Sequence, residues 1–466
     1  MSELTSRADA YLALPAYGAA SQGGAAADAL DRLLLSRERF KLAFAALPFA
    51  PPAFLERLAV DPRAAVALRL ARNPASGAET LAQVLARTDE PAVRAAVAGH
   101  RNAAPVALEA LASDADERTR AALLRNEKTP LEALRRLLPA AGPDELALLA
   151  RHPHADEALL RAIAGRGAAA AHAETLANPA CPPEFIEAAL RGDDALLRRR
   201  CAANPALPRP TLLRLLADPE PGVRAEALRA ASGVDETLVE DDAAASVRRV
   251  QARQARLPGD LAERLSCDPD VWVRIWLARN RALAASLIEV LSRDRAPEVR
   301  RAAGRNDACP AATLAVLAAD ADPWVRSGVA CRPDLPEEAR RRLESDDSAD
   351  VAASIARNPR TPSQELARRA IHPDVDVRRA VALNPAASAE ALRRLLDDPY
   401  PLNRAMAVRH PNLPDDDVWL RAGDPDPQVR FAVGKRAAER VARRRPAPAS
   451  TLQQPCEDAH EDTCSG

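Results

Sequence analysis

The sequence predicts an all-α fold, a solenoid of about fifteen repeats of 26 residues with two short helices each. Three observations carry this. One skeleton (Asp, five residues, Arg, five residues, Asn) recurs along the chain at a nearly constant step. Within each repeat, apolar residues fall three or four apart, and Asp-Pro and Asn-Pro dipeptides punctuate them. Apolar residues make up 47% of the 466 but aromatics only 3%. Such a core is built of Ala, Leu and Val, which closely packed short helices accommodate better than sheets do.

The period is legible from a few segments. Residues 268–281 read DPDVWVRIWLARNR, 294–306 read DRAPEVRRAAGRN, and 320–332 read DADPWVRSGVACR, with Asp268, Arg274 and Asn280 setting the register. The Arg slot falls at 67, 94, 120, 146, 172, 198, 224, 248, 274, 300, 326, 352, 378, 404 and 430. The step is 26 residues, except for 27 between 67 and 94 and 24 between 224 and 248. Ala67, Leu146, His172 and Ala352 replace Arg; the other slots keep it. A period held this strictly is the signature of stacked repeats.

The elements follow in order. The first helix of a repeat is expected to start at the Asp, as in Asp268-Pro269 or Asp424-Pro425, because Asp suits an N-cap and Pro a first turn. Val273, Leu277 and Ala278, like Val299, Ala302 and Ala303 in the next repeat, keep apolar groups at helical spacing. That helix must end at Asn73-Pro74, Asn178-Pro179, Asn204-Pro205, Asn358-Pro359 and Asn384-Pro385, since a residue before Pro is pushed out of the α region. A second helix follows, as in PPEFIEAALRG (182–192) or PLEALRRLL (130–138). At about ten residues, neither helix is stable alone, so stability comes from repeat–repeat interfaces. The unit is compact enough that one of its two segments could be a 3₁₀ turn, leaving α/α and α/3₁₀ both open. Residues 1–34 read as a low-complexity, partly helical segment and 35–60 as capping helices. Residues 61–440 form the array, and 441–466 read as a disordered tail without periodic apolar residues.

The segments LARNP (70–74) and CAANP (201–205), with the D-P-x-x-x-V-R pattern, resemble the bacterial leucine-rich repeat variant proteins over roughly residues 55–436. More loosely, the chain is similar to HEAT and armadillo-like repeats. The resemblance implies a right-handed superhelix of alternating α and 3₁₀ helices. One member of that family carries an N-terminal iron–sulfur domain. Here the first cysteine is Cys181, and no cysteine cluster precedes the repeats.

Charge and composition narrow the function. There are 65 basic and 66 acidic residues, a net charge of −1, which argues against nucleic acid as partner. Only Lys41, Lys128 and Lys435 are lysine; with abundant Ala and Pro, this looks like the codon bias of a high-GC bacterium and carries no functional message. The first residues lack a basic start followed by an apolar core, and no stretch nears eighteen apolar residues, so neither a signal peptide nor a membrane span is expected. Seven scattered Cys suit a reducing, cytoplasmic setting. The expectation is a non-catalytic scaffold that holds a protein partner, with no cofactor. Alternatives are a HEAT-like solenoid enzyme (a DNA-base glycosylase or a lyase) and an iron–sulfur redox protein. No Gly-rich phosphate loop, G-x-S-x-G or H-E-x-x-H motif occurs.

Several residue sets invite a site. Eight repeats fill both charged slots: Asp114/Arg120, Asp218/Arg224, Asp242/Arg248, Asp268/Arg274, Asp294/Arg300, Asp320/Arg326, Asp398/Arg404 and Asp424/Arg430. A pattern spread over most of the array favours a structural inter-repeat ladder over a ligand ridge. Cys181, Cys201, Cys267, Cys309 and Cys331 are expected as buried small hydrophobes, because layers roughly 8–10 Å apart keep distant repeats from sharing a metal. His100, His152 and His410 stand in the Asn slot. Cys456, His460 and Cys464, four and four apart in the tail, make a weak soft-metal pattern. Trp272 and Trp324 share a slot that is otherwise variable and polar, hence solvent-facing, and with Tyr400 they are candidate partner contacts or packing staples. Trp276 reads as a local packing adjustment.

Overall fold

A computed structural model describes residues 41–444 apart from 43–44, 49, 51, 115 and 232–241. The segment 1–34 and the tail beyond Arg444 lie outside the described residues. Among the described residues, every regular element is helical and none is a strand. In each repeat an arginine-bearing helix, such as Val271–Ala278, is followed by a leucine-bearing one, such as Ala285–Leu291. Arginine helices pack on those of the next repeat as well as on the leucine helix of their own. The result is a solenoid. Both helices of a repeat are α, and the 3₁₀ alternation implied by the family resemblance is confined, among the described residues, to Leu138–Ala140. Within the expected 35–60 cap, the helix Pro52–Leu58 is described, and the final helix, Pro427–Arg444, runs four residues past the expected end of the array at 440.

The apolar filling follows the period. Just before the Arg slot, Val66, Val93, Val223, Val273, Val299, Val325, Val351, Val377 and Val429 are all fully buried. The leucine helices contribute Leu108, Leu134, Leu160, Ile288, Leu314, Leu366 and Leu392, also fully buried. Small residues let the layers approach: a Cβ on Gly304 would meet Val329 Cγ1 at 2.5 Å and Leu317 Cδ1 at 2.9 Å.

Helix starts differ from the sequence reading. The helix N-cap is not the Asp of Asp268-Pro269 but Asp270, whose carboxylate accepts from the Trp272 and Val273 amides. Asp116, Asp194, Asp322 and Asp374 cap other arginine helices in the same way. Asp268 is otherwise engaged: it accepts from the Asp270 amide and from Arg248 of the preceding repeat. A carboxylate held by a neighbouring guanidinium leaves capping to the residue two places on.

Helix ends carry a second continuous system. Each Asn of the Asn-Pro slot is buried, and its Nδ2 donates to two carbonyls of the preceding repeat. Asn358 donates to Ala330 O at 2.9 Å and Arg332 O at 2.7 Å, and Asn384 to Ala356 O and Asn358 O, both at 2.8 Å. Its Oδ1 accepts from the amide two residues on, closing the turn: Arg360 N on Asn358 and Ala386 N on Asn384. The histidines in this slot substitute in kind. Nε2 of His100, His152 and His410 meets the carbonyls of Asn73, Asn126 and Asn384, while Nδ1 accepts a local amide. Gln254, Arg332 and Arg436 donate the same way with longer side chains. Ala230, at the 24-residue step, has no polar group to offer.

These carbonyls sit where an α-helix leaves its last C=O groups unpaired, so the Asn ladder resolves at every layer a cost that recurs at every layer. Asn358→Ala removes two donors in a fully buried position and leaves carbonyls unmet at about 1–3 kcal/mol each. We expect urea unfolding to report a loss of that order. A variant as stable as the parent would show that water or a shifted layer replaces the amide.

Candidate functional site

The charged slots form a ladder, and its register is offset by one layer from the pairing within a repeat. Arg274 Nε donates to Asp294 Oδ2 at 2.7 Å and its Nη2 to Oδ1 at 3.1 Å, while Nη1 donates to the carbonyl of its own Asp268 at 2.6 Å. The same fork joins Arg198 to Asp218, Arg224 to Asp242, Arg248 to Asp268, Arg300 to Asp320, Arg378 to Asp398 and Arg404 to Asp424. Arg94 also reaches Asp114. Arg430, in the last described helix, keeps the carbonyl contacts to Asp424 and Pro425. Because partners lie in successive repeats, Arg326 binds Asp346, although Ala352 stands in the Arg slot of that repeat.

Near two of the lost slots another charged side chain forms bonds. Glu145 receives Arg120 in place of the Asp missing at Ala140. After Ala352, Arg369 of the leucine helix donates to Ala352 O and Glu344 O. A bidentate guanidinium–carboxylate contact fixes orientation as well as distance. The forked Arg and Asp residues are therefore spent on holding layers together, with their hydrogen-bonding groups turned inward.

The exposed aromatics lie elsewhere. Trp272 and Trp324 are 51% and 43% exposed and stand at the rim of one groove of about 510 Å³ that spans the repeat between them. Its floor is Ile275, Ala302 and the stem of Arg301, and Arg279, Arg281 and Arg305 add positive charge, with Glu298 and Asp307 at the edge. Arg301 lies over the Trp324 ring at 4.2 Å. The sequence reading singled out the two tryptophans and missed these arginines, because single Arg residues do not stand out in an Arg-rich chain. Trp276 carries Arg253 and Arg279 over its ring, at 4.3 and 5.2 Å. Tyr400 does not line the groove; 44% exposed, it lies under Arg379. Trp419, 47% exposed in the helix Asp415–Trp419, is a further aromatic that the period did not single out.

Cysteine chemistry is muted. Cys181, Cys201 and Cys309 are buried, and burial pushes their thiols up to about 12, 12 and 11. Cys267 departs from the expected buried position: it is exposed, at the C-terminal cap of Gly259–Ser266. Among the described residues no group of three or more His, Cys, Asp or Glu is placed to hold a metal, and no helix is long and apolar enough to cross a membrane. Cys456, His460 and Cys464 lie outside the described residues.

The family model described as leucine rich repeat variant matches residues 375–399. That segment is one unit of an array whose other units repeat its skeleton, so what matches is a single repeat, similar to those of leucine-rich repeat variant proteins. A solved structure described as a leucine-rich repeat variant with a novel repetitive structural motif is 26% identical, over 53% of this chain and 88% of that one, with a TM-score of 0.32. Kap121p bound to Pho4p and Kap121p bound to Ste12p are each 12% identical, over 86% of this chain and 45% of theirs, with TM-scores of 0.17. The chain thus spans less than half the length of Kap121p. No curated protein sequence matches.

The buried polar groups give a pH dependence. The Arg224 and Arg300 guanidiniums hold the Asp242 and Asp320 carboxyls below their ordinary 3.8, against the opposing effect of burial. Burial is the largest influence on His152 and His410, and it lowers both from 6.5. All four groups have folded values below their unfolded ones, so their stabilising contribution is complete above about pH 6.5 and is lost as pH falls. A first loss is expected below pH 6.5 as the histidines must charge, and a second, larger one below 3.8 as the ladder carboxylates protonate. Melting temperature followed by circular dichroism from pH 8 to pH 2 should fall in that order. A profile flat to pH 4 would show that the histidines titrate alike folded and unfolded.

Proposed function

We propose that this chain is a non-catalytic cytoplasmic scaffold that holds a protein partner on its solenoid surface, with the Trp272/Trp324 groove as the contact zone. One observation carries this reading. Two large indoles, each about half exposed, occupy a slot that holds Leu196 and Leu402 in two other repeats and small or polar residues such as Ala92, Arg118, Gly222, Ser246, Glu298, Asp350, Asp376 or Gln428 elsewhere. An exposed Trp leaves apolar area in water, and Trp is among the residues that most often anchor interfaces when a partner covers them. The stacked layers hold both rings on one scaffold, so little ordering entropy is left to lose on binding.

The test is affinity purification with mass spectrometry on the parent and on a Trp272→Ala/Trp324→Ala variant. The parent should retain a defined protein that the variant loses, with a melting temperature within about 2–4 °C of the parent's. Retention of that partner by the variant would move the contact zone elsewhere. A far larger drop in melting temperature would make the rings packing staples.

A further inference from the structure

The floor of the groove is charged in a way the ladders do not need. Every ladder Arg ends on a carboxylate or a carbonyl, but Arg301, one residue beyond the slot, has a buried Nε with no hydrogen-bond partner. Its stem lies against the next repeat only because residue 328 is Gly: a Cβ there would meet Arg301 Cγ at 2.7 Å and Nε at 3.1 Å. Trp324 packs on the guanidinium, so the side chain is held between a bare stretch of helix and an indole. Burial, with the like charges of Arg305 and Arg279, pulls its pKa below the usual guanidinium range. Guanidinium groups nonetheless stay protonated in proteins. The groove thus gathers a partly buried, packed cation, three more cations on two adjacent layers and two exposed indoles.

We propose that this groove receives an acidic segment of the partner protein, with carboxylates on Arg301 and Arg305 and a neighbouring apolar side chain between Trp272 and Trp324. A partly buried guanidinium held in place by packing, as Arg301 is, binds a carboxylate with little reorganisation. Arg301 and Arg305 stand four residues apart at the end of one helix, with Cβ atoms about 5–6 Å apart. Alternate side chains of an extended segment point the same way about 6.6–6.8 Å apart, a difference that flexible Arg and Glu side chains take up. A sugar–phosphate backbone fits less well, because Glu298 and Asp307 stand at the rim and the chain's net charge of −1 supplies no long-range attraction. The proposal rests on the scaffold reading and names the chemistry of its partner.

The full chain is titrated, by fluorescence anisotropy at low salt, with three labelled probes: a short peptide alternating Glu and Leu, its Gln/Leu counterpart and an oligothymidylate. The Glu/Leu peptide should bind at least about tenfold tighter than the Gln/Leu peptide, and more weakly as salt rises. Arg301→Gln and Arg305→Gln should each weaken it about tenfold, the order expected for losing one charge-assisted pair. Gly328→Ala, which displaces Arg301, should act in the same direction, whereas Arg409→Gln, on a distant layer, should leave binding unchanged. Arg305 is exposed, so its variant tests the charge without disturbing the fold.

Equal affinity for the two peptides, indifference to both Arg changes, or tighter binding of the oligothymidylate overturns the proposal. If the tryptophan variant loses its partner while the peptides ignore the Arg changes, the scaffold reading stands and the acidic assignment falls. If the Glu/Leu peptide needs Arg301 but the tryptophan variant keeps its partner, the reading of this groove as the contact zone falls instead.

Discussion

The structure depends on how each layer ends its arginine-bearing helix. A helix of eight or nine residues leaves nearly half its carbonyls without intrahelical partners, and here those ends are covered by the next layer. The buried Asn, or the His, Gln or Arg in its place, is the group that answers: its side chain donates back across the layer boundary while its own turn closes on Oδ1. An Asn does both because one amide offers two donors and an acceptor on a short stem. His100, His152 and His410 manage with one donor and one acceptor. Arg332 and Arg436 supply donors alone.

The other end of the same helix is held by the Asp–Arg forks, with the Val and Leu filling between them. Each layer is therefore tied at two polar ends and one apolar middle. The spacing and rotation of neighbouring layers are fixed at three places, which is more than hydrophobic contact would impose. The Asp lost at Ala140 is made good by Glu145, which receives Arg120: a guanidinium left unmet at a buried boundary costs more than recruiting a substitute.

Regular layers make regular surface slots, and irregular residues in regular slots carry the functional reading. Trp272 and Trp324 are the aromatic occupants of a slot that elsewhere holds Leu196, Leu402 or small and polar residues. Arg301 becomes exceptional only where Gly328 lets it lie flat and Trp324 covers it. The groove is a local departure on a scaffold whose other features are committed to holding itself together.

The sequence alone determined the period, the two helices per layer, the helix ends at Asn-Pro and the solvent-facing slot of the two tryptophans. These follow from spacing and from backbone rules that act within a few residues. It pointed to a ladder in which each guanidinium meets a carboxylate of a neighbouring layer, but not to which neighbour. Asp268 and Arg274 are near in sequence, but Arg274 forks onto Asp294 of the next layer and takes only the backbone carbonyl of Asp268. Nor did it show that Asp270 caps the helix, that the Asn side chains cross between layers, or that Arg301 lies beside an indole with its Nε buried. Each of those depends on what a neighbouring layer, some 26 residues away, presents at the same point. Local sequence sets the shape of one layer; only stacking decides which polar group of the next layer meets it.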